Sequence, residues 1–188
     1  PLLMMCILTV VFSYVFRFDI PNYPLYLIIG QVVFNFVSES TTASMYSIVG
    51  NAALLKKVYV PKAVFPLARV ASSFVTMLFS MVAIFIVMIA TGVPLTPTLF
   101  LLPFPLFLLF VFSLGVSLIV SAVVVYFQDM FHLYSVFITA WSFLTPIFYP
   151  VSIIPKNFSW MLFWNPLYYI LSYFREIFLY DTIPTLND

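Results

Sequence analysis

Side chains able to do acid–base or metal chemistry are few in this chain and lie far apart. His132 is the single histidine, three residues after Asp129. That spacing lets one helical face offer two ligands to a metal ion. A zinc site takes at least three protein ligands, so an interfacial polar pair is the simpler reading. The phosphate-cradling pattern GxxxxGKS/T and the zinc pattern HExxH are both missing, and Gly30, Gly50, Gly92 and Gly115 are scattered. No catalytic residue, metal ligand or cofactor contact is assigned. Glu39 is different, because it lies deep in an apolar run among Ser38, Ser40, Thr41, Thr42, Ser44 and Ser47. An ionisable group inside a membrane span costs about 2.5–3.5 kcal/mol on insertion scales, so Glu39 must face protein or water. Two readings stay open: the polar lining of a conduit, or interhelical hydrogen bonding between small residues, with a second copy of the chain as packing partner.

The densest charge lies in Asn51-Ala-Ala-Leu-Leu-Lys-Lys-Val-Tyr-Val-Pro-Lys62, which holds three of the seven basic residues. Wound as a helix, it sets Leu54, Leu55, Val58 and Tyr59 on one side and Lys56 and Lys57 on the other, with Pro61 ending the turn. A basic amphipathic helix between two apolar runs belongs at the cytoplasmic membrane surface. There it could receive force from a soluble partner or sit on anionic headgroups.

The elements that must position these residues follow from composition. Hydrophobic residues make up 64% of the chain and charged residues 7%, against roughly 25% charged residues in soluble domains. Lipid is therefore the solvent. A net charge of +1 excludes the basic footprint needed for nucleic acid. Cys6, the lone cysteine, excludes an internal disulfide and reads as a buried, inert thiol.

Apolar runs cover 1–16, 25–50, 63–90, 98–126 and 133–145. A span needs about 20 apolar residues, and a barrel strand would alternate. The fold class is an all-α integral membrane protein with about five transmembrane helices. From Pro146 onward, Pro146, Pro150, Pro155 and Pro166 interrupt aromatic stretches, which predicts re-entrant or interfacial helices. Basic residues around the second loop (Lys56, Lys57, Lys62, Arg69) place it in the cytoplasm. Aromatic residues reach 20%. Phe12, Tyr14, Phe16 and Phe18, with Phe148 and Tyr149, cluster where a conduit could open, and aromatic faces stack on the apolar faces of sugar rings.

These segments together resemble the ABC-2 type permeases, most closely the branch that exports O-antigen, teichoic acid and capsular polysaccharide. The resemblance rests on the run Asn51–Leu67, on Val125-Tyr-Phe-Gln-Asp-Met130, on Thr145-Pro-Ile-Phe-Tyr-Pro150 with Ile154-Pro155, and on Asn165-Pro-Leu167 with Arg175. It implies a homodimer with a central channel and two separate ABC ATPase subunits, which would carry the ATP and Mg. It also implies that residues 51–62 form a coupling helix seated on the ATPase. Residues 146–175, including Pro146, Phe148, Tyr149, Pro150, Pro155, Asn165, Pro166 and Arg175, would form an outward gate. Gln128 stands where the family usually has Arg. The family's N-terminal amphipathic helix and last span have no counterpart here, so residues 1–188 read as a single transmembrane domain excerpted from a longer protein.

The expected function is the permease subunit of an ATP-driven exporter of polysaccharide or lipid-linked glycan, multi-pass in a bacterial inner (plasma) membrane. The chain itself is not an enzyme. Export of a drug or small lipid is the alternative. A membrane-embedded transferase would need convergent acid–base groups, and an ATP-independent transporter would need paired interrupted spans.

Overall fold

The computed structural model describes residues 2–11, 22–55, 57, 59–94, 96–154 and 159–180. Among these, all regular structure is helical. The helices are α1 (Leu2–Val11), α2 (Tyr23–Gly50), α3 (Ala52–Leu55), α4 (Val64–Ala90), α5 (Pro103–Tyr126), α6 (Met130–Leu144), α7 (Ser159–Phe163) and α8 (Pro166–Arg175). A 3-10 turn over Pro97–Leu101 leads into α5, and a π turn over Glu176–Tyr180 follows α8.

Helix ends follow local chemistry. Asn22 opens α2 in the left-handed region (φ 54°), which Asn tolerates better than most residues, and Pro24 occupies the first turn. Gly92 (φ 72°) closes α4: its own N–H bonds the Ile89 carbonyl, and the Val93 N–H reaches back to Met88 at 3.1 Å. Pro103 and Pro105 stand in the first turn of α5, where the missing N–H groups cost nothing.

Helix α2 is the centre of the bundle. Helices α4 and α5 pack along it and against each other, and α1, α6 and α8 also touch it. Every residue from Leu25 to Phe34 is buried. A chain of edge-on rings joins the three main helices, Phe36 to Phe74 at 5.7 Å and Phe74 to Phe110 at 5.1 Å between centroids. The second half of α2 is polar yet packed. Thr41 and Ser44 hydroxyls donate to the carbonyls of Val37 (2.6 Å) and Ser40 (2.7 Å), and Ser47 donates to Ser44 (2.6 Å). Back-bonding of this kind satisfies hydroxyls without water, and the small side chains allow close helix approach. On α5, Ser113, Ser117 and Ser121 form a matching buried row one turn apart.

Two segments are long and apolar enough to cross a membrane, Val64–Ala90 (27 residues) and Pro97–Tyr126 (30 residues). Helix α6 is apolar but has 15 residues. Helix α2 has 28 residues, with its polar second half lowering its apolarity. Among the described residues Val64–Ala90 and Pro97–Tyr126 are the two clear spans, beside an expected count of about five. The expectation of a buried thiol is corrected: Cys6 is exposed. Helix α1 turns Met5 inward, leaving the next position on its outer side.

Candidate functional site

The residues singled out in the sequence fall into three groups strung along α2. At its C-terminal end lies the basic loop. Helix occupies only Ala52–Leu55 there, a shorter element than the helix expected over residues 51–62. The sequence explains the correction. Tyr59 and Val60 precede Pro61, which disfavours helical backbone in the residue before it and offers no N–H. Tyr59 consequently stands in irregular backbone, 101% exposed, with no helical face to share with Leu55. Asn51 stitches the loop to α2, donating from Nδ2 to the Ser47 carbonyl at 2.7 Å. Lys57, Pro61 and Lys62 are exposed, and the Pro61 carbonyl accepts from the Val64 N–H at the start of α4. Leu54 falls within α3. Lys56 and Val58 lie outside the described residues.

At the other end of α2, Tyr23, Tyr26 and Gly30 hold the segment after α6. In this segment the Thr145 and Pro150 carbonyls accept from the backbone N–H groups of Ile147 (2.7 Å) and Ile153 (3.2 Å), which leaves those of residues 146–149 to side chains. The Tyr23 hydroxyl donates to the Phe148 carbonyl at 2.8 Å, and Tyr26 donates to those of Tyr149 (3.0 Å) and Pro146 (3.3 Å). Arg175, only 5% exposed, donates from Nη2 to the Ile147 carbonyl at 3.3 Å. Its guanidinium also lies 3.5 Å from the centroid of the Tyr26 ring, a cation–π contact. Four consecutive carbonyls, from Pro146 to Tyr149, are therefore captured by three side chains. Gly30 makes room for this arrangement: a Cβ there would sit 3.0 Å from Ile147 Cγ2 and 3.2 Å from Arg175 Nη2.

Asn165 ties the same region together from the far side. Its Oδ1 caps α8 by accepting from the Leu167 N–H (3.2 Å) and also accepts from Trp141 Nε1 (3.1 Å), while its Nδ2 donates to Thr145 Oγ1 (2.9 Å). Pro166 follows at the first helical position. The Tyr149 hydroxyl donates to the Phe143 carbonyl, and burial raises this phenol above its ordinary value, keeping it a neutral donor. Pro146 is buried, Pro150 is half-buried, and Pro155 lies outside the described residues. Beside Asn165, a groove of about 340 Å³ is walled by Phe137, Trp141, Trp160 and Trp164, bringing together all three tryptophans of the chain.

Between these ends, Glu39 is exposed on α2 with Asn35 and Tyr46, and Ser38, Thr42 and Ala43 complete an open polar pocket of about 530 Å³. All six lie on a single helix, at the helical period, and no other helix among the described residues lines the pocket. The remaining conduit candidates, Phe12, Tyr14, Phe16 and Phe18, lie outside the described residues. Asp129 and His132 are both exposed, as is Gln128.

Sequence reasoning missed Tyr23, Tyr26, Gly30 and Trp141. Their partners lie across the chain, 125 residues away for Tyr23 and Phe148, and no local pattern marks such pairs. It also missed Asn35 and Tyr46, although their spacing of four and seven residues from Glu39 was a readable helical signal.

The family model described as ABC-2 type transporter matches residues 1–179. An O-antigen export system permease protein RfbA of Klebsiella pneumoniae is 32% identical over 186 residues, covering 97% of this chain and 71% of the relative. A second protein of that name, from Myxococcus xanthus, is 29% identical over 186 residues, covering 98% of this chain and 72% of the relative. A family match over nearly the whole length, with a relative 32% identical across 97% of the chain, leads to one conclusion: the chain belongs to the ABC-2 type transporter family.

Proposed function

We propose that this chain is the membrane-spanning permease subunit of an ATP-driven exporter of polysaccharide or lipid-linked glycan. Family membership and the names of the relatives support a transport role. The observation that carries the reading furthest is the polar face of α2. A carboxylate flanked by Asn35, Ser38 and Thr42 sits exposed on an otherwise apolar bundle, and no other helix among the described residues lines its pocket. At membrane depth such a face must meet water, a polar cargo or a second copy. A homodimer with these faces turned toward a common axis would make a hydroxyl- and carboxylate-lined passage suited to sugars. The tryptophan-walled groove would add flat aromatic surfaces on which pyranose rings stack.

Energy would come from two ABC ATPase subunits docked on the Asn51–Lys62 loop. ATP and Mg would stay on those subunits. Helix α2 leaves the loop directly at Gly50 and α4 enters from it at Val64. With 28 residues at about 1.5 Å each, α2 is a rod of roughly 42 Å. Its far end carries Tyr23 and Tyr26, which hold the 146–149 carbonyls. Displacing the loop would therefore move the residues that hold the opposite end shut, a two-state element biased by the partner. Counting α1, α2 and α6 as crossings beside α4 and α5 gives a five-span domain of the bacterial inner membrane, with the loop in the cytoplasm.

The test is co-expression with a candidate ABC ATPase, purification in mild detergent and measurement of ATP hydrolysis with and without lipid-linked glycan. Co-purification with glycan-stimulated hydrolysis is expected. An ATPase that co-purifies but responds only to small amphiphiles would overturn the glycan assignment. Failure of any ATPase to co-purify would overturn the coupling.

A further inference from the structure

A separate groove opens at the loop end of the bundle, between the start of α4 and the end of α5. Its volume is about 280 Å³. It runs along α5 from Leu118 to Tyr126, eight residues or about 12 Å of helix. Its polarity changes along that length. Lys62 and Tyr126 stand at one end and Leu118 at the other, with Ala122 and Val125 between and Ile48 of α2 completing the apolar lining. Ser121, the one hydroxyl on the deep wall, already donates to the Leu118 carbonyl at 3.0 Å, so it asks nothing of a ligand.

The mouth is positively charged. Lys62 is exposed, Lys57 is exposed on the same loop, and Arg69 is exposed two turns further along α4. Asp129, just beyond α5, is the acidic side chain described at this end. A cation and a phenol at the rim of an apolar trench match an amphiphile with an anionic head and a hydrocarbon tail. Lysine reaching toward a headgroup and tyrosine at headgroup depth are the usual interfacial anchors. A free anion would leave the trench unused.

We infer that this α4–α5 groove binds one anionic phospholipid, its phosphate on Lys62 and its acyl chain laid along Tyr126 to Leu118. A lipid held there touches both α4, which rises from the loop, and α5. Local lipid composition would then set how freely the loop moves against the bundle.

The experiment uses the assembled transporter in nanodiscs of phosphatidylcholine with a minor share of phosphatidylglycerol. Lipid retained through detergent exchange is then quantified by mass spectrometry. Phosphatidylglycerol should be enriched over its bulk share. Lys62→Gln should lower that enrichment roughly fivefold, the worth of one basic residue at an anionic surface. Ala122→Trp should expel lipid of both kinds by filling the trench, and Ala122→Leu should do so partially if the indole disturbs assembly. Equal retention of the two lipids, or unchanged enrichment in both Lys62→Gln and Ala122→Leu, would overturn the site. Displacement by inorganic phosphate would assign it to a free anion and would also overturn the proposal. The measurement needs neither ATP nor cargo, so its outcome is separate from that of the export reading.

Discussion

Gly30 offers the sharpest test of the arrangement at the Tyr23 end of α2. Gly30→Ala adds one methyl group to a helix interior, a change that ordinarily stabilises by up to about 1 kcal/mol through backbone entropy. Here the new Cβ meets Ile147 Cγ2 at 3.0 Å and Arg175 Nη2 at 3.2 Å, both tighter than ordinary van der Waals contact. Ile147 is 1% exposed and Arg175 5% exposed, so neither has space to yield into. Overpacking of such a site costs about 1–3 kcal/mol. The helix gain offsets part of this, leaving a net loss of roughly 1 kcal/mol, or about 2–4 °C in Tm for a chain of this size. Gly115→Ala is the control, because nothing lies within 4 Å of a Cβ there and Gly115 is exposed in mid-α5. It should raise Tm by up to a similar amount. Thermal unfolding in one detergent reads both variants. Thiol labelling of Phe148→Cys, in a Cys6→Ala background, reads the segment itself and should quicken in Gly30→Ala alone. If Gly30→Ala matches Gly115→Ala in both measurements, the close approach of α2, Ile147 and Arg175 does not hold the segment, and the reasoning fails.

Three further outcomes are expected. Tyr26→Phe removes the donor shared by the Tyr149 and Pro146 carbonyls and should cost about 1–3 kcal/mol, read as lowered Tm, with the ring left in place under Arg175. Asn165→Ala removes the α8 cap and the links to Trp141 and Thr145. It should destabilise by at least the roughly 0.5–2 kcal/mol of a lost cap, with a shift in tryptophan fluorescence reporting the freed Trp141 indole. Lys56→Glu combined with Lys57→Glu should abolish glycan export in cells while leaving membrane insertion intact, and unchanged export would remove the loop from the coupling route.

Much of this fold can be read from the chain itself. The apolar runs 25–50, 63–90 and 98–126 correspond closely to α2, α4 and the Pro97–Tyr126 stretch, because long apolar segments bounded by Pro, Gly and Asn leave the backbone little alternative to helix. The basic loop misled where a hydrophobic face was drawn through Tyr59. Periodicity takes no account of the proline two residues later, which interrupts the helix that would present that face. The carbonyl-capturing residues were illegible for another reason. Tyr23 and Tyr26 look like any other interfacial aromatics, and only the return of residues 146–149 to α2 gives their hydroxyls a task. Arg175 enters the expected gate through the resemblance alone, and its burial against Tyr26 depends on Gly30, a contact across 145 residues that local pattern does not encode.

The two sides of α2 in its second half do different work. Val37, Thr41, Ser44 and Met45 are buried, whereas Asn35 and Glu39 are exposed, and Tyr46, also exposed, stacks on Phe131 of α6 with 4.5 Å between ring centroids. Folding therefore draws on one register of this helix and leaves the other open to change. A library randomised at positions 35, 39 and 42 should yield variants that fold normally, so that altered appetite for one saccharide over another can be selected without rebuilding the scaffold.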